Sequence, residues 1–207
     1  MNRISVIMAV YDNARELEEN LPAFLTQTYE PGYEVIVVDE SSTDNTEDVL
    51  KVLKNEYPHL YSTFLPKPDY NITRRRLALT LGVKAAKNEW IILTDIHKKP
   101  ASEEWLKEIA ENIDNTTETM IGYYHKKGTK MQRFEDVTEA CNLIVKAERK
   151  RADGHKGDHL KYLRGKYDFI AVKTSKAHDL LKFFEQKVGF RRLFGLRLAV
   201  MLQNSQS

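Results

Sequence analysis

A chain of 207 residues is long enough for one domain with a full core and too short for two comfortable ones. Apolar residues at 42% and charged residues at 30% are an ordinary globular balance, which excludes collagen-like, disordered and multi-span membrane classes. The net charge of +2 asks for no nucleic-acid partner, and a single cysteine, Cys141, excludes an intramolecular disulfide framework. No CxxC or Cys/His cluster suggests structural zinc, so a reducing, cytosolic compartment fits best.

In chain order, the apolar run Ile4 to Val10 is too short for a signal-peptide core and reads as a first strand. A helix from Arg15 to Phe24 follows, with Leu17, Leu21, Phe24 and Leu25 on one face. The second strand is Tyr33 to Val38, and the next helix, Thr46 to Tyr57, aligns Val49, Leu50, Leu53 and Tyr57. A weaker strand, Tyr61 to Leu65, precedes a helix from Leu77 to Ala86 and an apolar strand from Trp90 to Leu93. Strand and helix alternating with near-continuous apolar strands imply an α/β fold over residues 1–113, its parallel sheet covered on both faces.

Ser102, followed by Glu103 and Glu104, suits the N-cap of a further helix. Beyond it we read a strand from Thr119 to Tyr124, a helix from Phe134 to Arg151, a loop rich in Gly, His and Asp, a strand near Phe169 to Val172 and a helix from Ser175 to Val188. Lys and Arg crowd the segment from Lys146 to Arg197. The expected organisation is one domain over 1–207, with halves 1–113 and 114–189 and a basic amphipathic tail at 190–207.

Parallel α/β sheets bind ligands at the carboxyl ends of their strands, so the residues just after each strand carry the functional argument. Tyr11-Asp12-Asn13 follows the first strand and suits a turn in which Asp12 or Asn13 caps the helix. It contains no glycine, which sets aside the glycine-rich phosphate loop of a nucleotidyltransferase or dehydrogenase on a related sheet. In Asp39-Glu40-Ser41-Ser42-Thr43-Asp44, a carboxylate can accept hydrogen bonds from a nucleoside, and helix capping explains the same residues equally well.

Asp95-Ile96-His97 ends the strand that begins at Trp90. An acid there is placed to hold a divalent cation against a diphosphate, since Mn²⁺ accepts carboxylate and imidazole; a turn acid beside a solvated His is the plainer reading. Arg74-Arg75-Arg76 can bind base carbonyls or phosphate bidentately, or form a solvated face. The loop from Asp153 to His159 gathers titratable side chains between glycines and reads as a mobile surface loop or as a cover for a substrate.

The ordered runs ISVIMAVYDN, VIVVDESSTDNT, TRRRLALTLGVKAAKNEWIILTD and KPASEEWL resemble the inverting family-2 glycosyltransferases of the GT-A fold, chiefly over the first half of the chain. The resemblance implies a nucleotide-binding half at 1–113 and an acceptor-side half at 114–189. It implies that Ala9, Tyr11, Asp39, Glu40, Arg75 and Asp95 bind the nucleotide, with Arg74 and Arg76 as substitutes for Arg75. It further implies a divalent cation, Mn²⁺ or Mg²⁺, at Asp95 and His97, although the family's second acid is here the neutral His97. Lys98 and Lys99 follow, and fixed cations there can supply part of the charge that a metal gives to the leaving group.

The function implied is inverting transfer of a sugar from a nucleotide-diphosphate donor, such as a UDP-sugar, to an acceptor hydroxyl in polysaccharide or glycoconjugate synthesis. Inversion needs a carboxylate base. The family places it shortly after a Gly-Phe, yet Gly189-Phe190 is followed by Arg191-Arg192-Leu193-Phe194-Gly195. The base is therefore expected from Asp158 or Asp153, or from a partner chain, and the rival expectation is a catalytically weak nucleotide-sugar-binding domain that serves another transferase. The segment Phe190 to Leu202 mixes three arginines with apolar residues and suits an interfacial helix on anionic lipid, or packing on the domain or in an oligomer. A saccharide or lipid-linked acceptor, and a protein at the cytoplasmic membrane surface, follow as expectations.

Overall fold

The computed structural model describes residues 2–66, 74–125, 128–152 and 168–187. Four strands, β1 (Ile4–Val10), β2 (Tyr33–Asp39), β3 (Leu60–Phe64) and β4 (Trp90–Thr94), run parallel in the order β3-β2-β1-β4. The helices between them are α1 (Ala14–Leu25), α2 (Thr46–Glu56) and α3 (Arg74–Ala85). After α4 (Trp105–Glu111), the strands β5 (Thr119–His125), β6 (Gly128–Phe134) and β7 (Phe169–Lys173) extend the sheet to seven strands, β3-β2-β1-β4-β7-β5-β6. The helices α5 (Val137–Ala152) and α6 (Ala177–Lys187) complete the described elements.

The sheet is buried on both faces because its strands carry apolar side chains in both directions. Ile7, Ala9, Ile36, Val38, Ile91 and Leu93 face one way, against α3, α5 and α6. Val6, Met8, Val10, Val35, Val37 and Ile92 face the other way, against α1, α2 and α4. A period-2 strand exposes alternate residues to opposite faces, so two helix layers make every position of β1 a core position. Close approach of α3 to β1 depends on Gly82, where a Cβ would stand 2.4 Å from Ile7 Cγ2.

Three local expectations need correction. Phe134 does not open a helix: it ends the edge strand β6, and α5 begins at Val137. The polar sequence Gly128–Phe134 becomes a strand through its antiparallel ladder with β5, a long-range contact that propensity does not encode. Ser102 does not cap α4, whose first helical residue is Trp105. Gln27, brought in from the end of α1, accepts the Leu106 amide at 3.2 Å instead, while Ser102 Oγ donates to Glu108 Oε1 at 3.3 Å. The arginine run does not precede the third helix but forms its first turn.

Candidate active site at the carboxyl edge of the sheet

The chain leaves β1 and β2 through two loops that are sewn to each other. Asp12 N donates to Ser42 Oγ at 2.9 Å, and Thr43 N donates to Asp12 Oδ1 at 2.6 Å. Asn13 N donates to Thr46 Oγ1 at 3.2 Å and Ala14 N to Asp44 Oδ2 at 3.0 Å, so the α1 start is satisfied from the β2 loop. Asn13 occupies the N-cap position of α1, but its side chain accepts from the Tyr11 amide rather than from the helix.

Two non-glycine residues adopt positive φ here, Asp12 at 49° and Ser41 at 65°. Such conformations cost of order 1–3 kcal/mol and persist where surrounding bonds fix them, commonly at functional sites. Ser41 is fixed by donating its hydroxyl to the Leu65 carbonyl.

Asp39 ends β2, in register with Val10 of β1, and is buried. Its Oδ1 accepts from Ser42 N at 2.9 Å and from Ser42 Oγ at 2.6 Å. Among the described residues Oδ2 has no partner, which leaves one oriented acceptor at the strand end. Tyr11, 40% exposed, stands at the neighbouring strand end.

Glu40 is directed elsewhere: its Oε1 lies 3.5 Å from Arg75 Nη1, and that nitrogen also donates to the Ala9 carbonyl at 2.6 Å. Arg74 Nη1 adds a bond to the Glu40 carbonyl at 3.3 Å. Burial pushes the Glu40 carboxyl above the ordinary glutamate range, an effect opposed by the Arg75 guanidinium and, more weakly, by Arg74. Ala9, Glu40 and Arg75 thus form one buried cluster that braces β1 against α3.

Asp95 follows β4 and is half-buried. Its Oδ1 accepts the His97 amide at 2.9 Å, and its Oδ2 has no partner among the described residues. The His97 ring presents Nδ1 at 3.9 Å from Glu16 Oε1 on α1. Among the described residues no group of three or more His, Cys, Asp or Glu side chains is arranged to hold a metal ion.

An acid that sequence reading overlooked completes this edge. β7 runs antiparallel to β4, pairing Thr94 with Phe169, and one further step of that register sets Asp95 opposite Asp168. Thr94 Oγ1 donates to the Asp168 carbonyl at 2.9 Å, and the Asp168 carboxylate pairs with Lys98 Nζ. Asp39, Glu40 and Asp168 are the buried acids among the described residues. All three lie at the carboxyl edge. Asp168 carried no signal in the sequence because its place depends on the direction of β7, which only sheet pairing decides.

The expected bases Asp153 and Asp158, the loop to His159, Gly189-Phe190 and the tail at 190–207 lie outside the described residues. Among the described residues no helix is long and apolar enough to cross a membrane.

The family model for glycosyl transferase family 2 matches residues 5–163, and the chain belongs to that family. Relatives include glycosyltransferase AglE of Haloferax volcanii, 26% identical over 141 residues, covering 65% of this chain and 45% of the relative. Poly(ribitol-phosphate) beta-N-acetylglucosaminyltransferase TarP of Staphylococcus aureus is 30% identical over 135 residues, covering 62% of this chain and 38% of its own. The chain spans less than half the length of these curated relatives.

Among solved structures, mannosyltransferase PcManGT from Pyrobaculum calidifontis in complex with GDP-Man and Mn²⁺ superposes with a TM-score of 0.57 at 20% identity, over 86% of this chain and 46% of that one. S. aureus TarS 1-349 in complex with UDP-GlcNAc gives 0.56 at 19%, over 86% and 47%. The fold is therefore the GT-A fold, with parallel strands at the centre of a mixed sheet and helices on both faces.

Proposed function

We propose that this chain binds a nucleoside diphosphate sugar at the carboxyl ends of β1, β2 and β4 and transfers the sugar to an acceptor hydroxyl with inversion, in polysaccharide or glycoconjugate synthesis. The observation that carries this reading is the pair of half-satisfied carboxylates, Asp39 and Asp95, each held by one oxygen with the other open among the described residues, at the outlets of the two strands that flank β1. Tyr11 offers an exposed ring beside Asp39 for a base to stack on, and Asp39 Oδ2 offers an acceptor for a base N–H. The complexes of PcManGT with GDP-Man and of TarS with UDP-GlcNAc, on the same fold, support a nucleotide-sugar donor.

The chemistry is a single displacement. The acceptor oxygen forms a bond to the anomeric carbon as the bond from that carbon to the diphosphate breaks. The electron pair leaves with the nucleoside diphosphate, and a carboxylate takes the hydroxyl proton. Asp158 or Asp153 is the proposed proton acceptor.

A divalent cation fits only as a guest of the diphosphate. Asp95 Oδ2 and the His97 ring are the two ligands offered here among the described residues, and oxygens of the diphosphate would help to complete the set. Bound there, the cation would neutralise charge on the leaving group. PcManGT in complex with Mn²⁺ supports this assignment.

Calorimetry with a panel of nucleoside diphosphates, with and without Mn²⁺, tests the reading. Binding of one of them is expected, with a modest gain from the metal. Failure of every nucleotide to bind overturns it.

One observation favours a second reading, a weakly active domain that partners another transferase: residues 191–195, after Gly189-Phe190, contain no acid. Transfer assays separate the two. Turnover that survives in wild type and falls in Asp158→Asn or Asp153→Asn supports catalysis by this chain, whereas tight donor binding without turnover supports the partner role.

A further inference from the structure

We infer that Lys98, held in place by the buried carboxylate of Asp168, is the cation that faces the donor diphosphate, and that Asp168 acts as its positioning residue. The inference rests on the nucleotide-sugar reading above and adds to it a phosphate contact made by the protein itself.

Lys98 lies three residues beyond Asp95, at the outlet of β4, and its ammonium pairs with Asp168 at the start of the antiparallel neighbour β7. The two ends of the pair differ in burial: the Asp168 side chain is 5% exposed and that of Lys98 is 53% exposed. The carboxylate therefore sits inside the edge and the ammonium between it and solvent. A buried carboxylate is costly unless paired, so Asp168 draws the lysine stem back over the β4–β7 edge. Lys99, its neighbour, is exposed and makes no ion pair among the described residues.

An ammonium has three donors, and Lys98 commits only one direction, to Asp168, among the described residues. The others remain for an anion at the same edge. The second ligand position after β4 is His97, an imidazole in place of a carboxylate, with its Nδ1 3.9 Å from Glu16 Oε1, so this position adds no negative charge to anchor a metal. A cation fixed in advance next to the site where charge develops on a leaving diphosphate is the arrangement that stabilises such a transition state most. Asp168 supplies the fixing.

The test is calorimetry on the full chain in EDTA, using UDP, GDP and dTDP, then the monophosphate of whichever base binds. Wild type is expected to bind a diphosphate without metal and to prefer it over the monophosphate. Lys98→Met should weaken the diphosphate by about tenfold or more, the scale of a lost charge-assisted hydrogen bond, and change the monophosphate far less. Lys98→Arg should retain most of the preference. Asp168→Asn should reduce the preference in a protein that still melts cooperatively, which a merely structural role would not do selectively.

An unchanged diphosphate-to-monophosphate ratio in Lys98→Met overturns the proposal, whatever Asp168→Asn does. Diphosphate binding that requires Mn²⁺ and is indifferent to Lys98 also overturns it, while leaving the nucleotide-sugar reading intact. If no diphosphate binds wild type with or without Mn²⁺, that reading itself falls and takes this inference with it.

Discussion

Asp39 and Glu40 are adjacent in sequence, equally buried and both acidic, yet the structure gives them different work. Glu40 spends its charge on Arg75, whose guanidinium opposes the upward push that burial exerts on the carboxyl. Among the described residues Asp39 has only Ser42 as a hydrogen-bond partner and keeps Oδ2 open. Asp39→Ala should therefore weaken nucleotide binding by about 1–3 kcal/mol, the cost of losing a buried acceptor. Titration calorimetry of wild type and variant checks this, and equal affinities would remove Asp39 from the site.

Single elements carry constraints that are also measurable. Gly82 lets α3 settle on β1, and its missing Cβ would meet the fully buried Ile7 at 2.4 Å. Alanine gains about 1 kcal/mol of helix propensity over glycine. Overpacking typically costs about 1–3 kcal/mol, and Ile7 has nowhere to yield. The clash should win, so urea unfolding of Gly82→Ala should show a net loss of up to about 2 kcal/mol. A more stable variant would show that α3 can lift from the sheet.

The turn between α4 and β5 makes a pH prediction. Thr117 and Thr116 hydrogen-bond the Asp114 carboxylate and lower its pKa from 3.8 to about 2, and Arg133 of β6 pairs with it at 2.8 Å. A carboxylate whose pKa is depressed by folding contributes stability above its unfolded pKa and loses it as pH falls through the folded value. The stability gap between wild type and Asp114→Asn should be constant near neutrality and close between pH 3.8 and about 2. Melting temperatures of both proteins across that range test the sign; a gap that widens on acidification contradicts it.

At the scale of the whole molecule, two apolar clusters cover opposite faces of one sheet, and the proposed site lies at the rim of that sheet. A ligand that binds only the folded chain adds about 2.7 kcal/mol when present at about 100 times its Kd. In a domain of this size each kcal/mol is worth roughly 2–4 °C. The nucleoside diphosphate that binds should therefore raise the melting temperature by several degrees, with the free nucleoside giving less. Calorimetric melts in matched ligand series measure it, and no shift at saturating diphosphate would contradict binding at the native rim.

The sequence by itself determined the parallel half of the protein. Ile4–Val10, Tyr33–Asp39 and Trp90–Thr94 are apolar on both alternating faces, the helices between them have single apolar stripes, and local periodicity suffices to specify such units. It also marked Tyr11, Asp39 and Asp95, because a residue just past a parallel strand has only one edge to occupy. What depends on long-range pairing was decided by the tertiary structure alone. β6 is a strand because β5 pairs with it, and α4 begins where Gln27 meets it. Asp168 reaches the carboxyl edge of the parallel strands because β7 runs antiparallel to β4, and no local pattern encodes the direction in which a strand joins a sheet.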